Sequence, residues 1–92
     1  MATVVWSPEA LTDVARIAAY IAADNPAAAA RVARELLVAG DSLATFPCRG
    51  RRGSSPGYRE LVIVRPYILV YRLLAEDTVD ILRIWHAAQD RP

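Results

Sequence analysis

The feature that most narrows the fold lies between residues 58 and 86, where three β-prone runs follow one another almost without a gap. Residues 58–64, 67–74 and 78–86 are rich in Val, Ile, Leu and Tyr, and only Arg65-Pro66 and Ala75-Glu76-Asp77 separate them. Connections this short carry no crossover, so the runs must pair as an antiparallel meander. By strict alternation, Ile63, Leu69, Tyr71, Ile81 and Trp85 share one parity with Arg59 and Arg83. Val62, Val64, Ile68, Val70, Leu82 and Ile84 take the other, so both faces of the sheet are apolar and both demand cover.

The upstream half supplies cover for one face. Thr3-Val4-Val5-Trp6 reads as a short strand. Ser7-Pro8-Glu9 then opens a helix, with Ser as N-cap, Pro at the first helical position and an acid in the first turn. Leu11, Val14, Ala18 and Ile21, with Ile17 beside them, set its apolar face. Asp24-Asn25-Pro26 ends that helix and caps a second, which runs through Ala28, Val32, Leu36, Ala39 and Leu43 and stops before Pro47. So short a link makes an antiparallel helical hairpin. The order β-α-α-β-β-β predicts one α+β domain over residues 1–92, its hairpin packed on one face of the antiparallel sheet. A chain of 92 residues suits a single domain. The other face is left for a partner, a second copy or the residues after 86.

Residues 48–57 hold three of the four Gly and read as a long loop. The charge gathers around it. All 11 basic residues are Arg, and residues 49–72 contain six of them against Glu60 alone, a net +5 flanked by two segments of −2. Such a segment attracts a polyanion or an acidic partner. Arg49-Gly50-Arg51-Arg52-Gly53 offers Arg forks and backbone N–H groups to a phosphate, but it lacks the Lys and the following helix of a nucleotide P-loop. Arg31 stands one turn before Glu35 in a weak ion-pair position. One Cys and one His exclude a disulfide framework and a zinc cluster, and no cofactor motif is present. No apolar run reaches the roughly 18–20 residues that span a bilayer, and the N-terminus lacks the features of a signal peptide. A cytoplasmic protein without metal or cofactor is expected.

Several motifs together resemble the RelE/ParE superfamily of bacterial type II toxins. They are the hairpin turn Asn25-Pro26-Ala27-Ala28, the stretch from Pro47 through Gly50-Arg51 to Gly57-Tyr58-Arg59-Glu60-Leu61, Tyr67-Ile68-Leu69-Val70-Tyr71, and the terminal Ile84-Trp85-His86-Ala87-Ala88-Gln89-Asp90. The resemblance covers essentially the whole chain in the right order. It implies a small toxin in a hetero-oligomer with a cognate antitoxin, whose acidic or amphipathic C-terminal segment silences it. RelE-like members cut messenger RNA on the ribosome without a metal, whereas ParE-like members poison DNA gyrase and lack the nuclease residues.

Metal-free RNA cleavage needs a base for the 2′-hydroxyl, an acid for the leaving oxygen and cations for the phosphate. The residues available are His86 and Glu60 as acid or base and Arg59, Arg65, Arg72 and Arg83 as cations, with Arg72 or Arg83 as the phosphate clamp. Three positions on one strand set Arg83 and His86 on opposite faces. The resemblance weighs against cleavage, because nuclease-active members carry a phosphate-binding Arg at the position of Ile68. The Lys-rich segments with which ribosome-dependent relatives grip RNA are missing as well. The favoured reading is therefore a ParE-like gyrase toxin with no catalytic residue, and the alternative is a ribosome-dependent endonuclease. Contact residues for target or antitoxin are Arg49, Arg51, Arg52, Arg59, Arg65, Arg72, Arg83, His86, Gln89 and Asp90. For His86 the competing role is packing at a strand end, and for Arg59 it is fixing the loop.

Overall fold

The computed structural model describes residues 1–53, 55–75 and 77–87. Its elements are β1 (Thr3–Trp6), α1 (Pro8–Ala22), α2 (Pro26–Asp41), a 3-10 turn (Ser42–Ala44), β2 (Arg51–Arg52), β3 (Tyr58–Val62), β4 (Tyr67–Leu74) and β5 (Thr78–His86). The strands form one sheet in the order β1-β5-β4-β3-β2. The β3-β4-β5 meander is antiparallel, while β1 joins the outer edge of β5 in parallel.

Both helix starts follow from their caps. The Ser7 hydroxyl accepts from the Ala10 N–H at 2.9 Å, and the Asn25 side chain accepts from the Ala28 N–H at 3.0 Å. Each satisfies a donor that the first helical turn leaves unpaired, a contribution of about 1 kcal/mol. Ser7 also donates to the Leu82 carbonyl at 2.8 Å, and its own N–H reaches Ile81 O at 2.9 Å. One residue thereby ends β1, starts α1 and fastens both to β5.

The core lies between the hairpin and the inner face of the sheet. Ala10, Val14, Val32, Leu36, Ala39 and Leu43 meet Leu61, Leu69, Tyr71, Val79, Ile81 and Ile84. Four expectations need correction. Leu11 is 48% exposed, and α1 turns Ala10, Asp13 and Val14 inward instead. In α2 the buried position is Ala29 rather than Ala28. The loop at 48–57 contains β2, whose Arg51 and Arg52 pair with Glu60 and Arg59. Strict alternation also fails in β5. Val70 pairs with Arg83 but Tyr71 pairs with Ile81, so Leu82 is an extra residue in a bulge. The bulge brings Ile84, not Trp85, onto the core face beside Ile81.

On the helix-free face the register aligns Val62, Ile68 and Trp85 in one row. Ile68 is 4% exposed yet stands apart from the main core cluster, whereas Val62 remains 42% exposed.

Candidate functional site

The basic residues near the β2 edge are positioned by a clamp reaching out of the core. Tyr71, fully buried on β4, passes its hydroxyl to the loop ahead of β2. That hydroxyl accepts from the Gly50 N–H at 2.9 Å and donates to the Pro47 carbonyl at 2.7 Å. Burial pushes the Tyr71 pKa above its ordinary value, although the Gly50 hydrogen bond and the nearby Arg59 and Arg49 charges act the other way. Arg59, the register partner of Tyr71, donates to Gly50 O at 2.7 Å and more weakly to Cys48 O at 3.4 Å. No side chain fits at position 50, because a Cβ there would stand 2.8 Å from the Glu60 carbonyl oxygen and the Tyr71 ring. Arg59 thus fixes the loop, and the loop displays its neighbours. Arg49 donates to the Ser42 hydroxyl at 2.9 Å, Arg51 pairs with Glu60 at 3.0 Å, and Arg52 is exposed with no ion pair among the described residues.

The remaining arginines are dispersed. Arg65 is exposed in the β3–β4 turn. Arg72 lies 5.7 Å from the Tyr58 ring and 3.8 Å from Asp80, and its Nε is buried without a hydrogen-bond partner. Arg83 grips Asp13 of α1 with two bonds, Nε at 2.8 Å and an Nη at 3.1 Å. Asp13 is 3% exposed and also accepts the Ile84 N–H at 2.9 Å. Beyond the end of β1, a helix side chain thus takes the hydrogen bond that a neighbouring strand would otherwise make. Asp13 was not among the residues expected to matter. Its signal was an acid inside the apolar periodicity of α1, adjacent to Val14. The +5 segment is accordingly not one basic strip, since most of its arginines hold internal partners.

The structure does not bring His86, Arg72 and Arg83 together. His86 is the register partner of Tyr67, whose ring it meets edge-on at 5.6 Å. Arg72 pairs with Asp80 at the far end of the same two strands, roughly 17 Å from Tyr67 along β4. Arg83 is held by the Asp13 carboxylate and lies 5.9 Å from the Trp85 ring. Gln89 and Asp90 lie outside the described residues.

A family model described as "ParE toxin of type II toxin-antitoxin system, parDE" matches residues 4–91. Toxin RelE2 of Caulobacter vibrioides is 47% identical over 89 residues, which are 97% of this chain and 99% of the relative. Among solved structures, the chromosomal ParDE TA system from P. aeruginosa superposes with a TM-score of 0.80 at 23% identity, over 94% of this chain and 96% of that one. The toxin-antitoxin complex RelBE2 from Mycobacterium tuberculosis gives 0.60 at 27% identity, over 92% and 96%. The fold is thus common to ParE and RelE relatives.

Proposed function

The chain belongs to the ParE toxin family of type II toxin-antitoxin systems, and from that membership we propose that it arrests growth by binding DNA gyrase and trapping its cleaved-DNA intermediate. Its cognate antitoxin is the protein that silences it. The observation that carries the gyrase reading is Ile68. It is 4% exposed in the row Val62–Ile68–Trp85, at the position where the family resemblance implies a phosphate-binding Arg in nuclease-active members. An alkyl side chain supplies no charge to a scissile phosphate. The separation of His86 from Arg72 and the engagement of Arg83 by Asp13 support the same reading.

Purified toxin added to gyrase and supercoiled DNA is expected to accumulate protein-linked, cleaved DNA, and to leave messenger RNA intact when ribosomes are present. Site-specific transcript cleavage that disappears in His86→Ala would overturn the proposal in favour of the nuclease. In cells, the gyrase reading predicts filamentation with DNA damage rather than immediate arrest of translation.

A further inference from the structure

The C-terminal half of α2 and the segment that follows it carry the strongest unpartnered surface among the described residues. On one side, Val38, Ala39 and Ile63 form the apolar part of a groove of about 420 Å³, rimmed by Arg34. On the other, Phe46, Pro47 and Cys48 form a second depression of about 600 Å³. Arg49 lines both, so the two depressions adjoin at this arginine as the two apolar halves of one trough. Val38 is 61% exposed and Phe46 63%, so apolar surface faces solvent in both depressions.

The charges are unbalanced. Among the described residues Arg49 has only the neutral Ser42 hydroxyl as a side-chain partner, which engages one of its five N–H donors. Arg34 makes no ion pair among the described residues. Glu35, the acid in the groove, faces Arg31 at 3.7 Å. An occupant must therefore bring apolar side chains for both halves and a carboxylate between them. The outer sheet face makes no such demand, because Arg51 meets Glu60 and Arg72 meets Asp80 within the chain.

We propose that this trough docks a segment of the cognate antitoxin in which an acidic residue, seated on Arg49, is flanked on both sides by apolar residues. The inference rests on the toxin-antitoxin membership and is independent of whether gyrase is the target. Docking proceeds by burial of Val38 and Phe46, while the Arg–carboxylate pair fixes the register of the segment.

Cys48 is exposed and is the single cysteine, so it serves as a built-in reporter. The test is the rate at which a small maleimide alkylates Cys48 in the toxin, alone and in complex with its full-length cognate antitoxin. Protection of at least roughly tenfold is expected in the complex. Arg49→Glu and Phe46→Ser should each weaken antitoxin binding by roughly ten- to a hundredfold, with unchanged melting temperatures. Tyr20→Ser, on the far end of α1, should bind like the parent. A complex in which Cys48 reacts at the free rate, or in which Arg49→Glu binds normally, overturns the docking site and leaves the toxin assignment standing. Concentration-dependent protection without antitoxin overturns it in favour of a second copy of this chain. Failure of the parent protein to bind that antitoxin at all would instead strike at the toxin-antitoxin reading itself.

Discussion

Asp13 shows how much a single carboxylate can hold. It is buried, accepts two bonds from Arg83 and one from Ile84, and has Arg16 at 3.6 Å as a second cation. Asp13→Ala leaves a strand N–H and a guanidinium without their acceptor. The expected cost is roughly 2–4 kcal/mol in urea unfolding. Tyr71 carries the second prediction. Tyr71→Phe strands the Gly50 N–H and the Pro47 carbonyl, so it should cost about 1–3 kcal/mol at neutral pH. It should also flatten the alkaline limb of the stability curve. Because the folded pKa is raised, the unfolded chain ionises first, and stability contributed by neutral Tyr71 is complete below about pH 10 and falls as pH rises toward the folded value. Unfolding free energies of both proteins between pH 8 and 11.5 check this. Neither role was legible as such. Asp13 showed only as a polar interruption of an apolar stripe, and Tyr71 read as one more aromatic on a strand.

At the scale of elements, the caps were legible because Ser7-Pro8 and Asn25-Pro26 are local chemistry. The phase of α1 was less so. With five alanines spread over half of its circumference, a shift of one position between Leu11 and Ala10 changes the apolar count very little, and only packing chooses. The β5 bulge is likewise a tertiary decision. It serves Ile84 to the core after Ser7 and Asp13 have taken hold of the strand edge, and nothing in the alternation of residues 78–86 announces it. Contact between elements also sets the value of Gly40. By helix propensity, Gly40→Ala would stabilise α2 by about 1 kcal/mol. A Cβ at position 40, however, would run into the Trp6 indole, which is also tied to Asp41 by a 3.1 Å hydrogen bond. Overpacking of about 1–3 kcal/mol against a rigid ring outweighs the propensity gain. Net destabilisation, with a change in Trp fluorescence, is the expected result of a thermal melt.

Across the whole molecule, the formal charge of +1 conceals a concentration of arginines that the fold then spreads out and pairs. Arg51, Arg72 and Arg83 have carboxylate partners, Arg59 has carbonyls, and Arg49 has a hydroxyl. If residues 49–72 acted as one strip, six arginines would release counterions from DNA. Of those six, only Arg49, Arg52 and Arg65 are exposed without an ion pair among the described residues, so the logarithm of non-specific DNA affinity should instead fall with the logarithm of salt at a slope near −3, against about −5 for the strip. Fluorescence anisotropy on a random duplex across a salt series measures it. The family and its architecture were legible from the order of caps, turns and strands, whereas the grouping of the cations depended on register, which a linear count does not carry.

The sheet order has a further consequence in time. The strand made first, β1, takes its place only beside β5, which leaves the ribosome after every other strand. Until then the first strand has no neighbour in the sheet, and Asp13 waits for an arginine 70 positions downstream. Closing so long a loop belongs to the slow, non-local part of folding. A growing chain therefore carries an unfinished sheet until residues 78–86 have emerged. The finished toxin surface comes into being only when β5 has docked between β1 and β4.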